Sequence, residues 1–234
     1  MSKLRFSNPI FVAIDTPDLD KAMAVARSAG PHVGGLKIGL EFITAQGPEG
    51  IRKIVALGRP VFADVKFHDI PNTVAGATRA LARLGAAIFN IHASGGEAMM
   101  LAAKDAAASV NPEMKIIAVT LLTSLDQKDV AAVGYRGSAA AQVVRLARLA
   151  QKSGLDGVVC SAHEITAIRK ECGEDFMLVV PGIRPAGADL ADQRRVMTPR
   201  EAADAGADIL VIGRPITGAA DPGEAARAIY ESLI

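Results

Sequence analysis

Eight short apolar runs recur along the chain, and longer alanine-rich amphipathic stretches separate them. The runs are rich in valine and isoleucine and nearly continuous rather than alternating, as expected for strands buried on both faces of a parallel sheet. In chain order they are IFVAID, GGLKIG, PVFADVK, AIFNIHA, KIIAVTLL, GVVCSA, MLVVPG and DILVIGR. Eight strand and helix units in 234 residues, against roughly 250 for a typical barrel, predict an α/β fold of the (β/α)8 TIM barrel type, with residues 1–234 as one domain.

An open, doubly wound sheet is the alternative fold that also alternates strands and helices. Its first strand is commonly followed by a glycine-rich dinucleotide-binding turn, whereas the first strand here ends in AIDTPD, without such a turn. Gly85, Gly154 and Gly206 each stand between a helical stretch and an apolar run. A glycine suits the left-handed position that ends a helix, so these three joints predict repeated βα units.

The composition argues against several classes of function. The net charge is +1, so no overall field attracts nucleic acid or an anionic membrane surface. We find neither a signal peptide nor a run of about 18 apolar residues, and therefore expect no secretion and no membrane insertion. The two cysteines, Cys160 and Cys172, lack the close spacing of a metal motif. We expect a reduced, cytoplasmic protein.

The carboxyl ends of the predicted strands carry most of the candidate functional residues. In a (β/α)8 barrel, chemistry takes place at these ends, on the loops that follow the strands. Strand by strand, the ends carry Asp15, Lys37, Asp64, Lys66 and Asp69, Asn90 and His92, Thr120, Thr123 and Ser124, Pro181 and Gly182, and Gly213 and Arg214.

The densest group of charges lies in the stretch FADVKFHDIPNT, at the end of the third strand. Asp64 and Lys66 are two residues apart, so on a regular strand their side chains share one face, which is the barrel interior if Ala63 and Val65 face the helices. Interior charges are costly unless they are paired, which predicts that Lys37, Asp64, Lys66 and Asp69 compensate one another. A purely structural ion-pair network is one interpretation. The other is a site that holds a cation beside a reacting carbon, which we favour.

The same stretch raises the question of a metal site. Asp64, His68 and Asp69 are metal ligands by residue type. His68 shares a face with Asp64 only if the strand continues that far, and Pro71 indicates that it ends earlier. We therefore expect a loop role for His68, a buried hydrogen-bonded role for His92, and no metal.

The last two units have the features of a phosphate site. In this fold, the loops after strands seven and eight commonly bind phosphate. Here Gly213 allows close approach of the backbone to an anion, and Arg214 supplies a bidentate positive charge. The loop from Gly182 to Thr198 is long and rich in glycine and proline, which predicts a lid over a ligand. It carries Arg184, Gln193, Arg194 and Arg195, and which of these arginines reaches the ligand stays open.

These segments together resemble the orotidine 5'-phosphate decarboxylase family, in its bacterial type. The resemblance covers essentially the whole chain, through AIDTPD, LKIG, FADVKFHDIPNT, LTSL, VVPGIRP with DQRR, and VIGRPIT. The D-x-K-x-x-D element alone is shared by related decarboxylases and aldolase-like enzymes. Its continuation into I-P-N-T, together with the GIRP and IGRPI segments, makes the match specific.

The resemblance implies a role for each matched position. Lys66 corresponds to the proton donor to C6 of the pyrimidine, with Asp64 beside the departing carboxylate. Asp15 and Lys37 hold the ribose, and Asp69 and Thr73 reach into the site of a neighbouring subunit, which implies a homodimer. The remaining positions implied to contact substrate are Thr123 and Ser124 at the pyrimidine, then Pro181, Arg184, Gln193, Gly213 and Arg214 toward the phosphate.

The activity implied by the resemblance is the decarboxylation of orotidine 5'-monophosphate to uridine 5'-monophosphate, in pyrimidine biosynthesis, without a cofactor. Two alternatives remain open. A Mg²⁺-dependent sugar-phosphate decarboxylase or synthase of the same superfamily would use the carboxylates to hold the metal. A barrel that binds nucleotides without catalysis would keep the phosphate site, but would gain little from a lysine beside an aspartate.

Overall fold

The computed structural model describes residues 7–185 and 197–234, and eight parallel strands in them close into a barrel. The strands are β1 (Ile10–Ile14), β2 (Gly35–Ile38), β3 (Val61–Phe67), β4 (Ile88–His92), β5 (Lys115–Val119), β6 (Gly157–Val159), β7 (Met177–Val180) and β8 (Ile209–Ile212). Each strand pairs with the next in the chain, and β8 pairs with β1. The predicted (β/α)8 TIM barrel is confirmed, and the open doubly wound sheet is excluded. The one-domain assignment for residues 1–234 stays a prediction.

Helices alternate with the strands. In the described residues they are α1 (Leu19–Ala29), α2 (Leu40–Val55), α3 (Pro71–Ala82), α4 (Glu97–Ala108), α5 (Gln127–Ala132), α6 (Ala139–Lys152), α7 (Ile165–Cys172), α8 (Pro199–Asp204), α9 (Arg214–Thr217) and α10 (Pro222–Glu231). Among them, none has the length and apolar character needed to cross a membrane.

The turns between helices and strands follow from local sequence. Gly85, Gly154 and Gly206 have φ angles of 85°, 71° and 106°, the left-handed conformation that side chains disfavour. The predicted glycine joints are therefore confirmed. At the opposite end of a helix, the Asp18 side chain accepts hydrogen bonds from the backbone N–H groups of Asp20 and Lys21, which satisfies donors that α1 leaves unpaired.

Apolar side chains fill two layers on either side of the strands. The larger cluster joins one face of the strands, for example Val12 and Ile38, to the surrounding helices. The smaller cluster fills the inside of the barrel with Phe11, Ala13, Phe62, Ile88, Ile117, Met177, Val179, Ile209 and Val211. A Cβ atom on Gly35 would lie 2.3 Å from the Phe11 ring, so the glycine leaves room for that ring to cross the barrel.

This inner layer determines which residues face the site. Side chains alternate along a strand, so residues two positions beyond an inward-facing residue also face inward. Starting from Ala13, Gly35, Phe62, Ile88, Val179 and Val211, the next inward positions are Asp15, Lys37, Asp64, Asn90, Pro181 and Gly213. A layer that contains the polar side chains of Asp15, Lys37, Asp64 and Asn90 therefore lies directly above an apolar floor.

Candidate active site

Lys37, Asp64 and Lys66 form a connected cluster above the apolar floor. Asp64 Oδ1 lies 2.5 Å from Lys66 Nζ, and Asp64 Oδ2 lies 3.5 Å from Lys37 Nζ. Lys37 also donates a hydrogen bond of 2.8 Å to Asp15 Oδ1. The Lys37 side chain is 8% exposed and that of Asp64 is 15% exposed, so both charges depend on their partners. The predicted mutual compensation of buried charges is therefore present among Lys37, Asp64 and Lys66.

The surroundings of Asp64 stabilise its ionised form. Burial by itself raises the pKa of a carboxyl group, and it opposes ionisation of Asp64. The positive charges of Lys37 and Lys66 act in the other direction, as do hydrogen bonds from Lys66 and Asn90. Together they hold the pKa of Asp64 below its ordinary value, so the carboxylate is charged at neutral pH.

The backbone at Lys66 departs from a regular strand. Its φ angle is 52°, and within the described residues it is the one non-glycine residue with a positive φ. Such a conformation costs roughly 1–3 kcal/mol and persists where surrounding contacts enforce it. The β3–β4 register is irregular between Ala63 and Phe67. The prediction of a regular strand through Lys66 was therefore wrong for the backbone, although the Lys66 side chain does contact Asp64.

Asp69 and Thr73 lie outside this cluster. Both residues are exposed. Asp69 Oδ1 accepts a hydrogen bond of 2.7 Å from the adjacent Ile70 N–H, and Ile70 itself is 67% exposed. Within the described chain, Asp69 thus does not join the predicted group of four charges. The exposed set of Asp69, Ile70 and Thr73 lies at the start of α3.

His68 and His92 contact each other instead of converging on Asp64. Their ring centroids are 5.3 Å apart, His68 is exposed, and His92 is half-buried. Burial and the charges of His68 and Lys66 lower the pKa of His92 against a smaller opposing effect of Asp64, so its neutral form is favoured. In the ranges 7–185 and 197–234, no cluster of three or more His, Cys, Asp or Glu side chains could hold a metal ion.

Two adjoining cavities open above the cluster. The first has a volume of about 160 Å³, and its walls include Phe62, Lys66, Val119, Thr123 and Val159. The second has a volume of about 390 Å³, and its walls include Asp15, Gly182, Arg184, Gly213, Arg214 and Thr217. Lys37, Asp64, Pro181 and Val211 line both. The first cavity is largely apolar, whereas the second carries two arginines, so a ligand spanning both would place its anionic end at the second.

The predicted substrate-binding residues divide by position. Thr123 and Pro181 line the first cavity, while Ser124 is exposed and lines neither. Arg184 is 7% exposed and donates a hydrogen bond of 2.9 Å from Nη1 to the Ile183 carbonyl. Gln193, Arg194 and Arg195 lie outside the described residues, as does most of the predicted lid.

The match to known proteins extends over nearly the whole chain. Residues 8–229 match the model of the orotidine 5'-phosphate decarboxylase / HUMPS family. The chain belongs to this family. A relative named orotidine 5'-phosphate decarboxylase, from Novosphingobium aromaticivorans, is 54% identical over 227 residues, covering 97% of this chain and 100% of that protein. One of the same name from Moorella thermoacetica is 53% identical and covers 100% of this chain and 95% of that protein.

Solved structures of proteins named orotidine 5'-phosphate decarboxylase share this barrel. The crystal structure of orotidine 5'-phosphate decarboxylase from Lactobacillus acidophilus superposes with a TM-score of 0.86 at 38% identity, covering 97% of this chain and 99% of that one. The family predicted from the motifs is therefore confirmed. Asn90 was expected at the end of the fourth strand but without a role in the site, whereas its side chain contacts both Asp64 and Lys66. The available signal was an amide side chain within the otherwise apolar run IFNIH.

Proposed function

We propose that the cluster around Lys66 carries out the decarboxylation of orotidine 5'-monophosphate to uridine 5'-monophosphate. The chain is a carboxy-lyase of pyrimidine biosynthesis, in keeping with its family and with relatives of the same name at 54% identity over nearly the full chain. The observation that carries the proposal for Lys66 is its place in the wall of the first cavity, with Nζ against Asp64.

Lys66 supplies the positive charge and the proton. Loss of CO₂ breaks the bond between C6 and the carboxylate and leaves the electron pair on C6, where no adjacent carbonyl delocalises it well. A fixed ammonium group stabilises this developing charge, and proton transfer from Nζ then forms the new bond between C6 and hydrogen. Lys66 is left neutral and regains its proton from solvent. This sequence of steps requires no electron-sink cofactor.

Asp64 has two effects in this scheme. It fixes the Lys66 ammonium through the 2.5 Å contact, so the cation is already oriented before the reaction begins. Its negative charge also faces the substrate carboxylate, which becomes neutral CO₂ as it leaves, so repulsion between the two falls along the reaction. Lys37 holds Asp64 from the other side and links it to Asp15, the proposed ribose contact.

The rest of the ligand would extend across the two cavities. We assign the pyrimidine ring to the first cavity, near Thr123 and Ser124, and the phosphate to the second, near Gly213 and Arg214, with Arg184 and Pro181 along the wall. Gln193 belongs to the proposed lid. Contacts at the phosphate lie far from the reacting carbon. The binding energy of these phosphate contacts can close a lid over the ligand and so contribute to stabilising the transition state.

Asp69 and Thr73 are proposed to complete the site of a second subunit in a homodimer. Their exposure supports this, because Asp69 has no ion pair within the described part of the chain, and the neighbouring Ile70 presents an apolar side chain to solvent. Dimer formation would cover Ile70 and bring Asp69 to a neighbouring cluster. A cytoplasmic location also stays a prediction, with which the two free, buried cysteines are compatible.

The decisive experiment follows the absorbance change as orotidine 5'-monophosphate is converted, in excess EDTA. Wild type and Lys66→Ala are compared, with Lys115→Ala as the matched control. Lys115 is the first residue of β5, at the end of the barrel away from the Lys66 cluster, and it pairs with Asp156. Chelator-resistant conversion that is lost in Lys66→Ala, and retained in the control, supports the proposal. Loss of wild-type activity on chelation would favour the Mg²⁺-dependent alternative.

Subunit sharing is tested by mixing two inactive variants, Asp69→Ala and Lys66→Ala. If the site is shared, a mixed dimer contains one site with both residues intact, and activity returns to about one quarter of the wild-type level under random exchange. The matched control mixes Asp64→Ala with Lys66→Ala, which belong to the same subunit's cluster and cannot complement. Failure to regain activity despite demonstrated subunit exchange would contradict sharing.

A further inference from the structure

Asn90 lies on the inner face of β4, directly beside the charged cluster. Its residue exposure is 1%, and it is two positions beyond the inward-facing Ile88. A buried amide is costly unless its donor and acceptor are both used. The Asn90 side chain therefore needs a partner at both its amide nitrogen and its amide oxygen.

Both ends of the amide are bound to β3. Asn90 Nδ2 donates a hydrogen bond of 2.6 Å to Asp64 Oδ1, and Asn90 Oδ1 accepts one of 2.7 Å from the Lys66 backbone N–H. The backbone donor requires an oxygen opposite it, and the carboxylate requires a donor, so the two contacts together fix the orientation of the amide.

These contacts occupy a gap in the pairing of β3 and β4. Ala63 pairs with Phe89, and the next aligned pair is Phe67 with Ile91, so residues 64–66 stand opposite Asn90 alone. The Asn90 side chain thus bonds to the segment where regular pairing is interrupted. This segment contains Asp64 and the left-handed Lys66.

We propose that Asn90 is a positioning residue that holds the backbone of Lys66 and the carboxylate of Asp64 in their working arrangement. The inference rests on the roles proposed above for those two residues. Asn90 itself does not line either cavity. It acts through the pair, by keeping the bulge in β3 in the conformation that directs the Lys66 side chain to Asp64.

The first variant to test is Asn90→Ala, which removes both hydrogen bonds. We expect kcat for orotidine 5'-monophosphate to fall about 100-fold or more, as small displacements of reacting groups produce. The Kd for uridine 5'-monophosphate should change less than about threefold, because the cavity walls are intact. Ser153→Ala is the matched control: Ser153 is 1% exposed at the end of α6, donates a hydrogen bond of 2.9 Å to the Leu149 carbonyl, and lines neither cavity. The control variant should have the wild-type kcat for orotidine 5'-monophosphate and the wild-type Kd for uridine 5'-monophosphate.

The second variant, Asn90→Asp, gives a signature that loss of packing alone does not produce. Ionised, the new carboxylate can accept from the Lys66 N–H but repels Asp64. Protonated, it again offers one acceptor and one donor, as the amide does. Asp64 and Lys66 on β3 and His92 on β4 are the titratable groups around it, Lys37 acts through Asp64, and the paired β5 position is Ile117. We therefore expect kcat relative to wild type to rise as pH falls.

The outcomes separate this inference from the proposed mechanism. If Lys66→Ala stays active in the same assay, the mechanism fails. If Lys66→Ala is inactive but folded Asn90→Ala keeps kcat within about threefold of wild type, the positioning role is overturned on its own. Should Asn90→Ala not fold, Asn90→Asp decides, because a relative kcat that does not increase toward lower pH contradicts the inference.

Discussion

The contact between Lys37 and Asp64 has an energy that can be measured with a double-mutant cycle. The cycle consists of the wild type, Lys37→Met, Asp64→Asn and the double variant, each unfolded in urea. The two charges are 3.5 Å apart, with side chains 8% and 15% exposed. At that distance, Coulomb's law with an effective dielectric constant of about 20 gives roughly 5 kcal/mol. We expect a coupling of roughly 2–4 kcal/mol, because water and side-chain motion weaken the pair in solution.

The pH dependence of this coupling follows from the lowered pKa of Asp64. A carboxyl group with a lower pKa in the folded protein stabilises the fold above its unfolded pKa, and that stabilisation is lost as pH falls through the folded value. The coupling should therefore be the same at about pH 7 and about pH 5, and decrease below about pH 4.

An exposed pair provides the matched control for the cycle. Arg200 and Asp204 are one helical turn apart on α8, with atoms 3.3 Å apart and side chains 54% and 70% exposed. Pairs of this kind contribute at most about 1 kcal/mol. If the coupling of Lys37 to Asp64 is no larger than that of the control, or if it grows as pH falls, our account of the buried cluster is refuted.

Two further predictions concern the phosphate end and the base of the barrel. Arg214→Ala should weaken binding of uridine 5'-monophosphate about 10–100-fold and leave uridine binding nearly unchanged in calorimetric titration; equal losses for both ligands would contradict a phosphate contact. Arg169→Ala should lower the free energy of unfolding by about 3–5 kcal/mol in urea while the folded variant keeps its kcat, because Arg169 and Asp208 are 2.6 Å apart and each 9% exposed. A loss below about 1 kcal/mol would indicate that this pair behaves like an exposed one.

The fold was predictable because each strand contributes a local signal. An apolar run marks a strand, a glycine marks the joint before it, and parallel pairing brings all carboxyl ends to one rim. The positions of Asp15, Lys37, Asp64 and Gly213 follow from this rim and from the two-residue alternation of side chains. None of these inferences requires knowledge of contacts between distant residues.

The parts of the site that the sequence did not predict depend on contacts across strands. The left-handed Lys66 has no local signal, since its conformation accompanies an irregular β3–β4 register and a hydrogen bond to Asn90, 24 residues away. Asn90 was visible as an amide in an apolar strand, but its two partners follow only from the register. The partners of Asp69 and Thr73 could not be predicted for a different reason, because we propose that these exposed residues contact another subunit.

The arrangement of charges suggests how one cluster can favour a transition state over its substrate. Asp15, Lys37, Asp64 and Lys66 together carry two positive and two negative charges, so the cluster attracts no anion by net charge alone. In the proposed mechanism its selectivity lies in direction, because Asp64 faces the leaving carboxylate while the Lys66 ammonium, in contact with Asp64 at 2.5 Å, faces C6. Decarboxylation would move negative charge from the leaving carboxylate to C6, away from Asp64 and toward Lys66. The fixed dipole of Asp64 and Lys66 would lie along that movement and would therefore stabilise the transition state more than the bound substrate, which is the condition for catalysis. Such a dipole must be in place before substrate arrives, and this requires that the backbone hold Lys66 in position.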